Sequence, residues 1–297
     1  MVDACDSHVV YWPLVEHLAR IAAQVRRLGR MIQTLGIVDA CFRTDKERRR
    51  AAGRLQGKSV LEWVSRRATD CQQLDGVIVV TTADPANEFV TDLVPLDVPV
   101  FAAEAEDILS LWAKALEAYP CEKFVRFETV CPFVDRFLVD RLVKESRRLP
   151  EPADYVGYRT QDGTPAMLSS AVLYGELVLT KTLHRLNEKL RSAEDRQHPT
   201  RYIYAHPDRF RVHWIPVPEK LDRRDIRLVL VNEDDWEVHQ IIVDALGPDC
   251  DGHHIAGLIE GCPSLRRQME AINLGAGREG PSSQHNLTEP HSIRRPR

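Results

Sequence analysis

Leu14, Leu18, Ile21, Val25, Leu28, Ile32 and Leu35 recur at alternating spacings of four and three, and this pattern predicts a helix over residues 14–35. The apolar seam is narrow and keeps a heptad spacing, while Arg20, Arg26, Arg27 and Arg30 fill much of the remaining surface, which suits a helix that meets a slender partner. Gly36 stops it, residues 36–42 (GIVDACF) predict a short buried strand, and the charged run RTDKERRR reads as a loop over a sheet edge. Beyond it the periods alternate: helix at residues 59–69, strand at 76–82, helix at 86–93, strand at 98–101, helix at 108–118, strand at 123–127 and helix at 136–147. Strands alternating with helices in this order predict right-handed crossovers and a mainly parallel sheet. A strand at residues 226–231 and a helix at 235–246 follow, with Gly247-Pro248 as the stop. After Gly275 the chain carries almost no apolar residues and is expected to be disordered. The predicted organisation is a helical extension (1–35), an α/β domain (36–250), a C-terminal helical segment (251–274) and a tail (275–297).

Composition narrows the function classes. The formal net charge of −4 supplies no field for holding nucleic acid, so nucleic acid is not an expected partner. Seven scattered cysteines without a C-x-x-C pair signal neither a disulfide framework nor a zinc site, which fits a reducing compartment. No apolar run reaches membrane-spanning length, and the opening MVDACDSHVVYW lacks the basic-then-apolar order of a signal peptide. A cytoplasmic protein without a membrane partner is expected.

Six stretches carry a resemblance: GRLQGKSVLEWVSRR, DGVIVVTTADP, VPVFAAEAEDIL, VRFETVCPFVDRFLVDRLV, PTRYIYAHPDRFRV and DIRLVLVNEDDWEVHQIIVDALG. In this order they resemble the cytidylyltransferases that activate sugars as CMP derivatives, in particular the spore coat polysaccharide biosynthesis protein F type, over roughly residues 36–247. The resemblance implies a three-layer, nucleotidyltransferase-like (Rossmann-like) α/β domain with a mainly parallel sheet. It also implies a first loop of the form Q-A-R-M-G-S-T-R-L-P-G-K, whose amides and cations receive a triphosphate. Counted back from Gly57-Lys58, that loop places its cations on Arg49, Arg54 and Lys58, with Ala51 where a glycine is expected and Gly53 free to take the tight turn. Counted forward from the strand, its first Arg falls on Cys41, so an insertion must separate strand from loop.

Two further departures bear on chemistry. The family motif R-x-T-G-D-C-P keeps Arg126, Cys131 and Pro132, but the aspartate that holds a divalent cation is Val130. Its partner in T-V-D-T-P-E-D is Val231. Magnesium demands oxygen ligands, and two valines supply none. Glu128, two residues before Val130, and Asp234 are the substitute ligands an active enzyme would need. Thr81 and Thr82, at the end of a buried strand, are placed near the nucleotide by the resemblance. His253-His254 lacks a third ligand and reads as a pair of exposed loop histidines, and Cys41 as an inert thiol. The leading expectation is therefore a pseudoenzyme linked to nucleotide-sugar or surface-polysaccharide biosynthesis, with a nucleotide or sugar ligand and no cofactor. Two other readings stay open. One is an active cytidylyltransferase that uses magnesium to convert CTP and a sugar acid into CMP-sugar and pyrophosphate. The other is a homo-oligomeric or partner-bound scaffold joined through the helix from Leu14 to Leu35.

Overall fold

The computed structural model describes residues 32–276. Residues 14–31 of the predicted N-terminal helix, and residues 277–297 of the predicted tail, lie outside them. The last turn of that helix is corrected: Ile32 and Leu35 belong to strand β1, Ile32–Asp39. Leu35 and Ile37 enter one hydrophobic core and Val38 the other. A strand buried on both faces reads as a near-continuous apolar run, and the step from Ile32 to Leu35 then imitates a helical seam.

The charged run is also corrected, from loop to helix α1, Asp45–Ala52. The Thr44 hydroxyl accepts from the Glu47 amide (3.3 Å) and the Glu47 carboxylate accepts from the Thr44 amide (2.9 Å), so a capping box offsets a sequence with almost no apolar face. This helix is the insertion between strand and loop. Ala51 is buried within it and needs no special backbone. The tight turn lies instead at Gln56 (φ 46°) and Gly57 (φ 80°), joining the short strands β2, Arg54–Leu55, and β3, Lys58–Ser59. Gly53 is needed for a different reason: a Cβ there would lie 2.2 Å from the Trp236 ring.

Helix α2, Val60–Thr69, strand β4, Gly76–Thr82, strand β5, Val100–Ala103, helix α4, Ile108–Ala118, strand β6, Cys121–Glu128, and helix α5, Arg136–Arg148, follow the predicted alternation. Between β4 and β5 the expected helix is reduced to a 3₁₀ turn, Pro85–Asn87, and the single turn α3, Val90–Leu93. Three strands had no counterpart in the sequence pattern: β7, Tyr155–Arg159, β8, Glu176–Leu179, and β9, Val212–Pro216. Helices α6, Thr180–Lys189, α7, Ala193–Gln197, and α8, Pro199–Ala205, separate β8 from β9.

The seven strands order as β5-β4-β1-β6-β8-β7-β9, with only β8 antiparallel to its two neighbours. Helices cover both faces, giving a three-layer, mainly parallel α/β nucleotidyltransferase-like fold. The expected strand at residues 226–231 is not part of any sheet. Its main chain bonds to turns, Leu228 to the Ser170 carbonyl (2.7 Å) and Leu230 to that of Val130 (2.8 Å), while Ile226, Leu228 and Leu230 are buried. Alternating apolar residues thus reported burial correctly and ladder pairing wrongly. Helices α9, Glu233–Leu246, α10, Gly252–Gly261, and α11, Pro263–Ala276, complete the described chain. Among the described residues no helix is long and apolar enough to cross a membrane.

Candidate functional site

After β1 the chain builds outward through β4 to β5, then returns to place β6 on the other side of β1. The boundary between β1 and β6 is therefore the topological switch point, where the loops leaving two parallel strands diverge and open a crevice at their carboxyl ends. A cleft of about 460 Å³ lies there.

Strand register builds its floor. Asp39 on β1 is opposite Glu128 on β6, and Arg126, two residues earlier on the same face, is opposite Glu176 on β8. The Arg126 guanidinium gathers all three acids: Glu128 at 2.7 Å, Glu176 at 2.8 Å and Asp39 at 3.7 Å. It also lies 5.3 Å from the centroid of the Trp112 ring, and Tyr155 donates to the other Glu176 oxygen at 2.8 Å. Two donors in this wall, Arg126 Nε and Trp112 Nε1, are buried without an acceptor among the described residues. Such a group costs about 1–3 kcal/mol.

More exposed arginines, Arg43, Arg50 and Arg201, line the rest of the cleft. The Arg50 side chain, in the last turn of α1, makes no hydrogen bond or ion pair among the described residues, and burial lowers its pKa from the ordinary guanidinium value. Burial would do the same to Arg126, but Glu128, Glu176 and Asp39 outweigh it and raise its pKa.

Asp39 behaves oppositely. Burial raises its carboxyl pKa above the usual value, only partly offset by Arg126, while Glu128 pushes the same way as burial. Its folded-state pKa exceeds the unfolded one, so its stabilising contribution is complete below the unfolded carboxyl pKa and is lost as pH rises through the folded value. Asp39→Asn is accordingly expected to raise the melting temperature at neutral pH by about 2–4 °C, the equivalent of 1 kcal/mol in a domain of this size. The gain should vanish in acid. A melting series on both proteins checks this, and a loss of stability at neutral pH would show that the Arg126 pairing dominates.

The structure divides the residues nominated from sequence. Arg126, Glu128 and Val130 line the cleft. Arg49, Arg54 and Lys58 are exposed and do not line it: Arg54 bonds to the Gly57 carbonyl and Lys58 lies 6.0 Å from the Trp63 ring centroid. Arg50, one residue on from Arg49, lines the cleft. Thr81 is buried and donates to the Ala40 carbonyl (2.9 Å), and Thr82 accepts from Asn87 (2.8 Å), so both knit loops together at the neighbouring strand end. The Leu230-to-Val130 bond joins the two valine segments, as the motif order requires. Glu128 does not share a face with Val130, because β6 ends at Glu128 and the chain turns. Val130 packs into the core opposite Trp112. Asp234 is exposed on the first turn of α9 and is not in the cleft. His253 and His254 open α10 rather than a loop, with the His254 ring 2.8 Å from Asp251. Cys41 lines the cleft, but burial lifts its thiol pKa well above the usual range. Asp39, Glu176, Arg50 and Trp112 were not singled out. An acid closing a buried strand was a legible signal for Asp39, whereas Glu176 depends on the pairing of a strand the pattern did not reveal.

The fold family implies a divalent cation, and this donor set does not fit one. Both expected ligand positions are valine, the three nearby carboxylates converge on a guanidinium, and no group of three His, Cys, Asp or Glu among the described residues is arranged to hold a metal.

Comparison with known proteins agrees with this architecture. No protein-family profile matches the chain. It is 27% identical over 209 residues to the uncharacterized protein MJ1063 of Methanocaldococcus jannaschii, covering 70% of this chain and 82% of that protein. It is 24% identical over 200 residues to the spore coat polysaccharide biosynthesis protein SpsF of Bacillus subtilis, covering 65% of this chain and 79% of that one. Among solved structures, a cytidylyltransferase from Leptospira borgpetersenii superposes with a TM-score of 0.71 at 17% identity, covering 79% of this chain and 96% of that chain. A CMP:2-keto-3-deoxy-manno-octonic acid synthetase complexed with CTP gives 0.55 at 11% identity, covering 72% and 100%. The protein has the cytidylyltransferase fold. Its sequence is a distant homologue of SpsF.

Proposed function

We propose that the protein is a cytidylyltransferase-like binding protein of nucleotide-sugar or surface-polysaccharide biosynthesis, whose cleft at the switch point receives a cytidine nucleotide without magnesium-assisted transfer. One observation carries the reading: the three carboxylates of the cleft floor already surround Arg126, while valine stands at both positions where the resemblance expects a metal ligand. Phosphate oxygens are then left to the arginines, and Arg50, partly buried and unpaired among the described residues, is the leading partner. The CTP bound to the synthetase of the same fold supports the choice of nucleotide.

Calorimetry with CTP in magnesium and in EDTA tests this. The expected dissociation constants agree within about threefold, Arg50→Ala weakens binding by roughly tenfold, which is 1.4 kcal/mol, and no pyrophosphate is released. Binding that requires magnesium and accompanies pyrophosphate release would instead establish the active enzyme, although Asp234 stands outside the cleft as a substitute ligand. The scaffold reading rests on a shorter seam, since Ile32 and Leu35 are strand residues.

A further inference from the structure

We infer that the outer face of helix α5 is a docking surface for an anionic lipid bilayer, which it meets as a basic helix lying along the headgroups. The inference is independent of what fills the cleft, because none of the residues of this face lines it.

The helix sorts its charges. Six of its residues are exposed, Arg136, Phe137, Arg141, Lys144, Arg147 and Arg148, and five of these are cations. Its acids are used inward. Asp135, the N-cap, is buried and accepts from the Phe137 amide (2.8 Å) and the Gly252 amide (2.6 Å), and Asp140 is buried and accepts from the Gln73 amide at 2.9 Å. Glu145 alone stays partly exposed, 2.9 Å from Arg148. Arg147 bonds to the neutral Gln73 side chain (2.6 Å), and the Arg141 and Lys144 side chains make no hydrogen bond or ion pair among the described residues. Leu138, Val139, Leu142 and Val143, on the opposite face, enter the core. Phe137, Arg141, Lys144 and Arg148 follow one another at steps of four, three and four, so they form one stripe roughly 16 Å long.

Helix stability does not account for this arrangement. Cations in the last turn suit the macrodipole, which covers Arg147 and Arg148, but Arg136 stands in the first turn, where the dipole disfavours a cation. Lys144 has like-charged neighbours three residues before it and four after it, Arg141 and Arg148, and both pairings work against the helix. An anionic surface outside the molecule offsets both effects. Phe137, 54% exposed, heads the stripe with the Arg136 guanidinium 4.7 Å from its ring centroid, so a ring and a cation are presented together, as an interfacial helix requires.

The shape and the charge select the occupant. A helix packed by one side presents a convex outer face, which suits a plane of headgroups, whereas a small ligand needs a concave site. The ends of the chain do not complement it: residues 1–31 hold four arginines against three acids, and residues 277–297 four against two. The expected lack of a membrane partner rests on the charge of the whole chain and the length of its apolar runs, and a face sorted by helix phase shows in neither.

Co-sedimentation of the full chain with vesicles tests this, using phosphatidylcholine alone and with about one third phosphatidylglycerol, at about 0.05 M and 0.5 M salt. Binding is expected only to the anionic vesicles, and at least about tenfold weaker at the higher salt. Combining Arg141→Gln, Lys144→Gln and Arg148→Gln should weaken it about a hundredfold, from about fivefold per cation. Phe137→Ser alone should weaken it by about threefold or more. The control combines Arg49→Gln, Arg54→Gln and Lys58→Gln, which removes the same charge from exposed positions elsewhere and should change binding less than about threefold. A melting curve shows that each variant is folded. Failure to bind anionic vesicles, or equal losses in the two triple variants, overturns the inference. So does tighter binding to polyuridylate than to vesicles at equal phosphate concentration, which would assign the face to nucleic acid. Self-association without vesicles that the α5 triple variant abolishes would assign it to a second copy of the chain.

Discussion

Replacing Asp235 with alanine is expected to lower the unfolding free energy by about 3–5 kcal/mol at neutral pH, the scale seen when one partner of a buried ion pair is removed. Asp235 is fully buried, and its carboxylate receives both the Nε and Nη2 groups of Arg227 and the amides of Val231 and Asn232, each at 2.7 Å. One side chain thus ties the first turn of α9 to residues 226–231, which run beside Val130 and the cleft. Alanine leaves the buried Arg227 guanidinium with only Asn273 Oδ1, at 3.2 Å, among its side-chain partners and orphans two amides. Its exposed neighbour Asp234 supplies the control, because Asp234→Ala is expected to change stability by less than about 0.5 kcal/mol. Urea unfolding of both variants, with the slope unchanged from wild type, measures the difference. A loss below about 1 kcal/mol for Asp235→Ala would mean that Arg227 finds another partner and that the pair is not what holds the segment.

The contrast between these adjacent aspartates shows what a sequence can disclose. Three consecutive acids at a helix start are legible as a charge pattern, but which one turns inward depends on helix phase against Arg227, eight residues earlier and outside the helix. Strands β4 and β6 and helices α2, α4 and α5 were legible because each carries its own period of burial. Helix α1 was not, because a capping box and charge rather than an apolar stripe define it, and its phase decides that Arg50 rather than Arg49 faces the cleft. At the site, Val130 and Val231 stood out as missing carboxylates. The arrangement replacing them did not, since Arg126, Asp39, Glu128 and Glu176 come from three strands and meet only through register.

That meeting sets the second large effect. Arg126→Met is expected to cost about 3–5 kcal/mol at neutral pH, because methionine fills much of the space and leaves three acids without their shared cation. Glu176 is the decisive partner: it is 1% exposed, and without Arg126 its remaining side-chain bond is the one from Tyr155 at 2.8 Å. Asp39, whose carboxyl pKa burial already raises, also loses in the variant the cation that partly offsets that rise, and binds its proton still more tightly in the folded than in the unfolded state. Stability contributed by protonation is then fully present below the unfolded carboxyl pKa and falls as pH rises through the folded value. The deficit relative to wild type should therefore shrink as pH drops through the carboxylate range, whereas a defect of packing alone would be independent of pH. A double-mutant cycle separates the charge from the shape. If the ion pair is the cause, Arg126→Met combined with Glu176→Gln is less destabilised than the sum of the single changes by about 1–3 kcal/mol. Simple additivity, or a deficit constant with pH, would show that Arg126 holds the floor by its contact with Trp112 rather than by binding the acids around it.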